Sequence, residues 1–90
     1  MTIYIKLQPF ARMQSLNILY ENGDNQEKYC FLEDIPRTIL DCYKLTKKTE
    51  RFDVHFLGNA NFNIKFQEDT KKEFIKEYGA LNRNINFIMT

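Results

Sequence analysis

Residues 59–66, Asn59-Ala60-Asn61-Phe62-Asn63-Ile64-Lys65-Phe66, decide how this chain folds, because they satisfy two periods at once. Phe62, Ile64 and Phe66 alternate with Asn61, Asn63 and Lys65, the pattern of a strand with one buried face. Phe62 and Phe66 also begin an i,i+4 stripe that continues through Thr70, Phe74 and Tyr78, the pattern of a helix buried along one side. Asn59 suits the N-cap of that helix and Gly79 its C′ position. One long helix is the preferred reading. The alternative is a strand that hairpins back from the preceding one, with helix only from about Glu68 to Tyr78.

On the N-terminal side of this stretch, Phe52, Val54 and Phe56 alternate with Asp53, His55 and Leu57, a strand closed by Gly58-Asn59. On its C-terminal side, Ile85, Phe87 and Met89 alternate with Asn86 and Ile88, the last strand. Further back, Asp34 can cap a helix that has Pro36 in its first turn, where a missing N–H is harmless. Ile35, Ile39, Leu40, Cys42 and Tyr43 share one face of that helix, which should run to about Leu45 or Lys47. Ile3, Ile5 and Leu7 define a first strand ended by Pro9, and Leu16, Ile18 and Tyr20 a second. Asn22-Gly23 is a hairpin turn signal, since both residues tolerate positive φ, and a third strand from about Glu27 to Leu32 pairs back across it.

The order β-β-β-α-β-α-β predicts a single α/β (α+β) domain over residues 1–90. It has a mixed five-stranded sheet with both helices on one face, and each helical connection adds a parallel strand by a right-handed crossover. In element order it resembles the core of the ribonuclease H-like fold. That resemblance implies metal-dependent nuclease chemistry, with an acidic residue on the first strand and another closing the fourth, because hard oxygens must hold the divalent ions. Here Ile3 to Gln8 contains no acid and the fourth strand ends in Leu57-Gly58-Asn59. Asp41 and Asp53 are the only nearby candidates, so a degenerate nuclease is the third-ranked function.

Composition narrows the field further. Thirteen Lys and Arg against twelve Asp and Glu give a net charge of +1, without the basic excess of a dedicated nucleic-acid binder. With 43% hydrophobic and 14% aromatic residues, a core can form without metal or disulfide staples. Cys30 and Cys42 lack zinc-type spacing and read as reduced packing residues. Gly23, Gly58 and Gly79 are too scattered for a phosphate cradle. No metal or cofactor is expected. No apolar run approaches the ~20 residues of a membrane span, and Met1 to Lys6 alternates rather than forming a signal peptide. The cytoplasm is the expected compartment.

Individual side chains with chemical potential have plain readings. His55, the sole histidine, shares a strand face with Asp53, and Cys30 is expected on that same face. The expectation is a half-exposed strand histidine rather than a general base. Ser15 has no nucleophile elbow around it. Lys44, Lys47, Lys48 and Arg51 form a basic cluster that completes a helix end, or else a nucleic-acid contact that Arg12 would extend.

Two features remain as candidate partner-binding surfaces. The first is the connection Pro9-Phe10-Ala11-Arg12-Met13, which places Phe10, Arg12 and Met13 where a turn is usually polar. The competing reading folds Phe10 and Met13 back onto the core. The second is the sheet face away from the helices, expected to carry Tyr4, Leu19, His55 and Ile88 among Lys6, Asn17, Asp53 and Asn86. The expected function is a non-enzymatic protein-binding, adaptor or inhibitor module, with a second copy of the chain as one form of partner. Its size would suit a small phage inhibitor. A nucleic-acid-binding accessory protein is the alternative.

Overall fold

Three strands near the N-terminus form an antiparallel meander: β1 (Thr2–Lys6), β2 (Met13–Leu19) and β3 (Asn25–Phe31). This computed structural model describes residues 1–47, 49–58 and 60–89. A short 3-10 turn, Leu32–Asp34, leads into α1 (Ile35–Lys44), then β4 (Phe52–Leu57), α2 (Ala60–Tyr78) and β5 (Ile85–Met89). β4 adds parallel to β1 and β5 parallel to β4, so the five strands lie in the order β3-β2-β1-β4-β5.

The stretch with two periods is helical. Phe66, Thr70 and Phe74 are buried along α2, whereas Ile64, which a strand would turn inward with Phe62 and Phe66, is 52% exposed. Phe74 carries most of the packing: its ring meets Phe87 edge-on at 6.4 Å, Tyr43 at 5.2 Å and Phe52 at 6.4 Å. The helical stripe wins because it reaches α1 and two strands at once. Gly79 adopts φ +78° as the C′ residue, and its N–H donates to the Ile75 carbonyl at 2.7 Å. Asn59, the expected N-cap, lies outside the described residues.

Three expectations need correction. Asp34 stands at the N-cap of α1 but makes no side-chain capping bond, since its backbone (φ −94°, ψ 1°) continues the preceding 3-10 turn instead of being extended. α1 stops at Lys44, short of Lys47, where Thr46 donates its hydroxyl to the Tyr43 carbonyl at 2.7 Å. β2 begins at Met13 rather than Leu16, so the first connection is shorter and Met13 belongs to the sheet.

Ile3, Ile5, Leu16, Ile18, Phe52, Val54, Phe56 and Ile85 are buried on one sheet face, beneath Ile35, Ile39, Leu40 and Tyr43 of α1 and Phe66 and Phe74 of α2. Tyr43 links helix to sheet ends. Its ring lies edge-on to Phe52 at 5.1 Å, and its hydroxyl donates to Asn84 Oδ1 at 3.2 Å while accepting from Asn82 Nδ2 at 2.8 Å. The opposite face of the sheet carries no element of the described chain.

Candidate interaction surface

Strand register places the exposed-face residues in rows. Glu27, Asn17, Tyr4, His55 and Ile88 line up across all five strands, and Asn25, Leu19, Thr2, Asp53 and Asn86 form the adjoining row. Tyr4 and His55, direct parallel neighbours, stack with ring centroids 4.8 Å apart and planes at 24°. Ile88 flanks His55 and is half-buried. Four of the expected surface residues, Tyr4, Leu19, His55 and Ile88, thus share the face that the helices leave open.

The tip is built from β1 and β2. Gln14, only 1% exposed, turns its carboxamide under the connection. Its Oε1 accepts from the Gln8 N–H at 2.8 Å, and its Nε2 donates to the carbonyls of Gln8 and Ala11, each at 2.8 Å. The Ala11 N–H closes the turn on the Gln8 carbonyl at 3.1 Å. One side chain therefore satisfies the polar groups of a tight turn that has no glycine. Phe10 is fully exposed and Met13 half exposed, so neither folds back onto the core. Arg12 lies over the Phe31 ring at 4.7 Å, and Phe31 is the cross-strand partner of Met13. Arg12, Met13 and Phe31 form one corner of the open face. Leu19, at the far end of β2, sits about 20 Å away at ~3.3 Å per residue, so the tip and the Leu19 row are separate contacts.

Alternation in the sequence points to neither Phe31 nor Tyr29 as a surface residue, and Cys30 lies on the face opposite the expected one. The cause is one residue of turn length. A two-residue Asn22-Gly23 turn would pair Cys30 with Ser15. The Tyr20 N–H instead donates to the Asp24 carbonyl at 2.8 Å across a three-residue loop, Glu21–Gly23, with Gly23 at φ +93°. Cys30 consequently pairs with Gln14 and turns toward the core, while Tyr29 and Phe31 turn outward. Cys30 and His55 are on opposite sheet faces and cannot form a pair. Burial pushes the thiols of both Cys30 and Cys42 up, which keeps them protonated and unreactive at neutral pH.

The basic cluster is partly neutralised. Lys44 Nζ lies 3.0 Å from Glu77, and Arg51 Nε lies 2.9 Å from Asp53. Lys47 is exposed, and Lys48 lies outside the described residues. Asp53 also accepts from Asn86 Nδ2 at 3.0 Å on the open face, whereas Asp41 faces Arg37 on α1 at 4.0 Å. The sheet separates these two carboxylates, so they cannot hold a shared ion. Among the described residues no group of three or more His, Cys, Asp or Glu side chains is placed to hold a metal. No described helix is long and apolar enough to cross a membrane. The chain matches no family model, no curated protein and no solved structure.

Proposed function

We propose that this chain is a non-enzymatic protein-binding module, an adaptor or inhibitor acting in the cytoplasm, that docks through the Phe10–Met13 tip and the open sheet face beside it. The observation that carries this reading is the Gln14-braced turn, which holds Phe10 in solvent and Arg12 over Phe31. A pre-ordered aromatic and guanidinium tip loses little entropy on docking, and these side-chain types concentrate binding energy at interfaces. Self-association through the same surface is the homodimeric form of the proposal.

The strand order β3-β2-β1-β4-β5 supports a ribonuclease H-like topology, and the separation of Asp41 from Asp53 argues against that fold's nuclease chemistry here. The nucleic-acid reading has weaker support, because Glu77 and Asp53 engage two of the four cations it relies on. The test is affinity capture from the host followed by measurement of the recovered complex. Arg12→Ala should weaken that complex by about 1–2 kcal/mol, while unfolding free energy changes by less than about 0.5 kcal/mol. If Arg12→Ala and Met13→Ala both leave affinity intact, the tip is not the docking site.

A further inference from the structure

β3 is an edge strand, hydrogen-bonded to β2 alone. The phase of its backbone follows from two bonds at its ends: the Tyr20 N–H donates to the Asp24 carbonyl and the Leu32 N–H to the Arg12 carbonyl, each at 2.8 Å. In an antiparallel ladder the bonded pairs alternate, so residues 24, 26, 28, 30 and 32 face β2. Asn25, Glu27, Tyr29 and Phe31 therefore turn their N–H and C=O groups outward, with no proline or bulge to blunt the edge.

Beside this edge runs a groove of about 400 Å³, walled by Met13, Tyr29, Cys30 and Phe31 on the strand side and by Asp34, Arg37 and Asp41 on the α1 side. Its lining carries two carboxylates, Asp34 and Asp41, against the one guanidinium of Arg37. The Asp34 carboxylate neither caps α1 nor makes an ion pair among the described residues. Arg37 lies between Asp41 at 4.0 Å and Glu73 at 3.7 Å, which offsets its charge. β5, the other edge, is shorter, at five residues against seven.

We propose that the free edge of β3 and the flank of α1 receive an extended segment of a partner protein, carrying a basic side chain between apolar ones. The strand edge supplies main-chain bonds to any extended chain, and the groove selects its side chains: apolar against Tyr29 and Phe31, basic against Asp34 and Asp41. A second copy of the chain is the poorer occupant. Two-fold antiparallel registers centred on Glu27 or Lys28 would set like charges opposite each other, which is destabilising. The inference rests on the chain being a protein-binding module but runs the contact along β3, meeting the Phe10–Met13 tip only at the Met13–Phe31 end.

The experiment is selection of a displayed library of random linear nine-residue peptides on the full chain, followed by binding of the enriched peptides as synthetic probes. Enriched peptides should alternate apolar residues and include Lys or Arg. Their affinity should fall at least tenfold with Glu27→Pro, which removes an outward N–H and leaves the β2 ladder untouched. It should fall similarly with Asp34→Asn plus Asp41→Asn, which does not depend on the strand tolerating proline. Amides of Glu27 and Tyr29 should gain hydrogen-exchange protection on binding, and Phe10→Ala, at the tip but away from the groove lining, should change peptide affinity less than twofold. Failure to enrich any peptide overturns the proposal, as does binding indifferent to the aspartate changes. Peptides that lose affinity with Phe10→Ala but not Glu27→Pro would overturn it while supporting the tip. Edge amides already protected in a peptide-free dimer would assign the edge to a second copy instead.

Discussion

Two buried carboxamides have opposite fates. Gln14 sits at an inward position of β2, yet its side chain bonds to the backbone of the neighbouring turn through both of its polar atoms. Asn63, 1% exposed on α2, has no hydrogen-bond partner for either Nδ2 or Oδ1 among the described residues. A buried polar group that is satisfied stabilises modestly, and one that is not carries its full desolvation cost. Gln14→Met fills similar space without the bonds, and it should lower unfolding free energy by about 2 kcal/mol and expose the Ala11 amide to hydrogen exchange. Unchanged stability and protection would mean that the turn holds itself. Asn63→Leu should have the reverse sign, raising unfolding free energy by about 1–2 kcal/mol. A loss of stability in denaturant titration would reveal a partner for the amide. Neither role is legible in sequence, because both depend on which main-chain groups a fold brings within reach.

At the level of elements, legibility tracks how many periods a segment satisfies. β4 spans Phe52–Leu57 as its alternation requires, since a glycine ends it and no helical stripe competes. Residues 60–66 fit both periods, and the contest is settled by contacts far along the chain, chiefly Phe74 against Tyr43, Phe52 and Phe87. Phe74→Ala should accordingly cost about 3–5 kcal/mol, read from denaturant unfolding. A change under about 1 kcal/mol would place the anchor of α2 elsewhere. β3 shows the opposite failure: its existence was evident and its orientation was not. The pairing of Tyr20 with Asp24 across Glu21–Gly23 reverses every side chain from Asn25 to Phe31, bringing Tyr29 and Phe31 onto the open face and Cys30 onto the inner one. The two β3 members of the candidate surface, Tyr29 and Phe31, thus depended on a loop one residue longer than its strongest signal, Asn22-Gly23, suggests. Tyr4, His55 and Ile88 escaped that error, because the three parallel strands that carry them take their faces from simple alternation.

For the whole molecule, a net charge of +1 leaves no long-range field to gather a polyanion, so the alternative function must rest on local charge. The candidate cluster has four cations, of which Lys44 is bound to Glu77 and Arg51 to Asp53. Setting those two aside leaves Lys47, which is exposed, and Lys48, which lies outside the described residues. With about two phosphates neutralised on a single strand, the observed binding constant should vary with salt to a power of about −1.4. Between 50 and 200 mM salt that amounts to a loss of roughly sevenfold. Fluorescence anisotropy with a labelled oligothymidine at several salt concentrations measures the slope directly. A loss of about a thousandfold over the same range would require many more phosphate contacts than the Lys44–Arg51 region can make. Nucleic acid would then replace protein as the partner, with Lys6 and Arg12 on the open face recruited alongside Tyr4 and His55. A slope near the smaller value, unchanged by Lys47→Ala plus Lys48→Ala, would mark the binding as nonspecific and leave the open face and its tip to a protein.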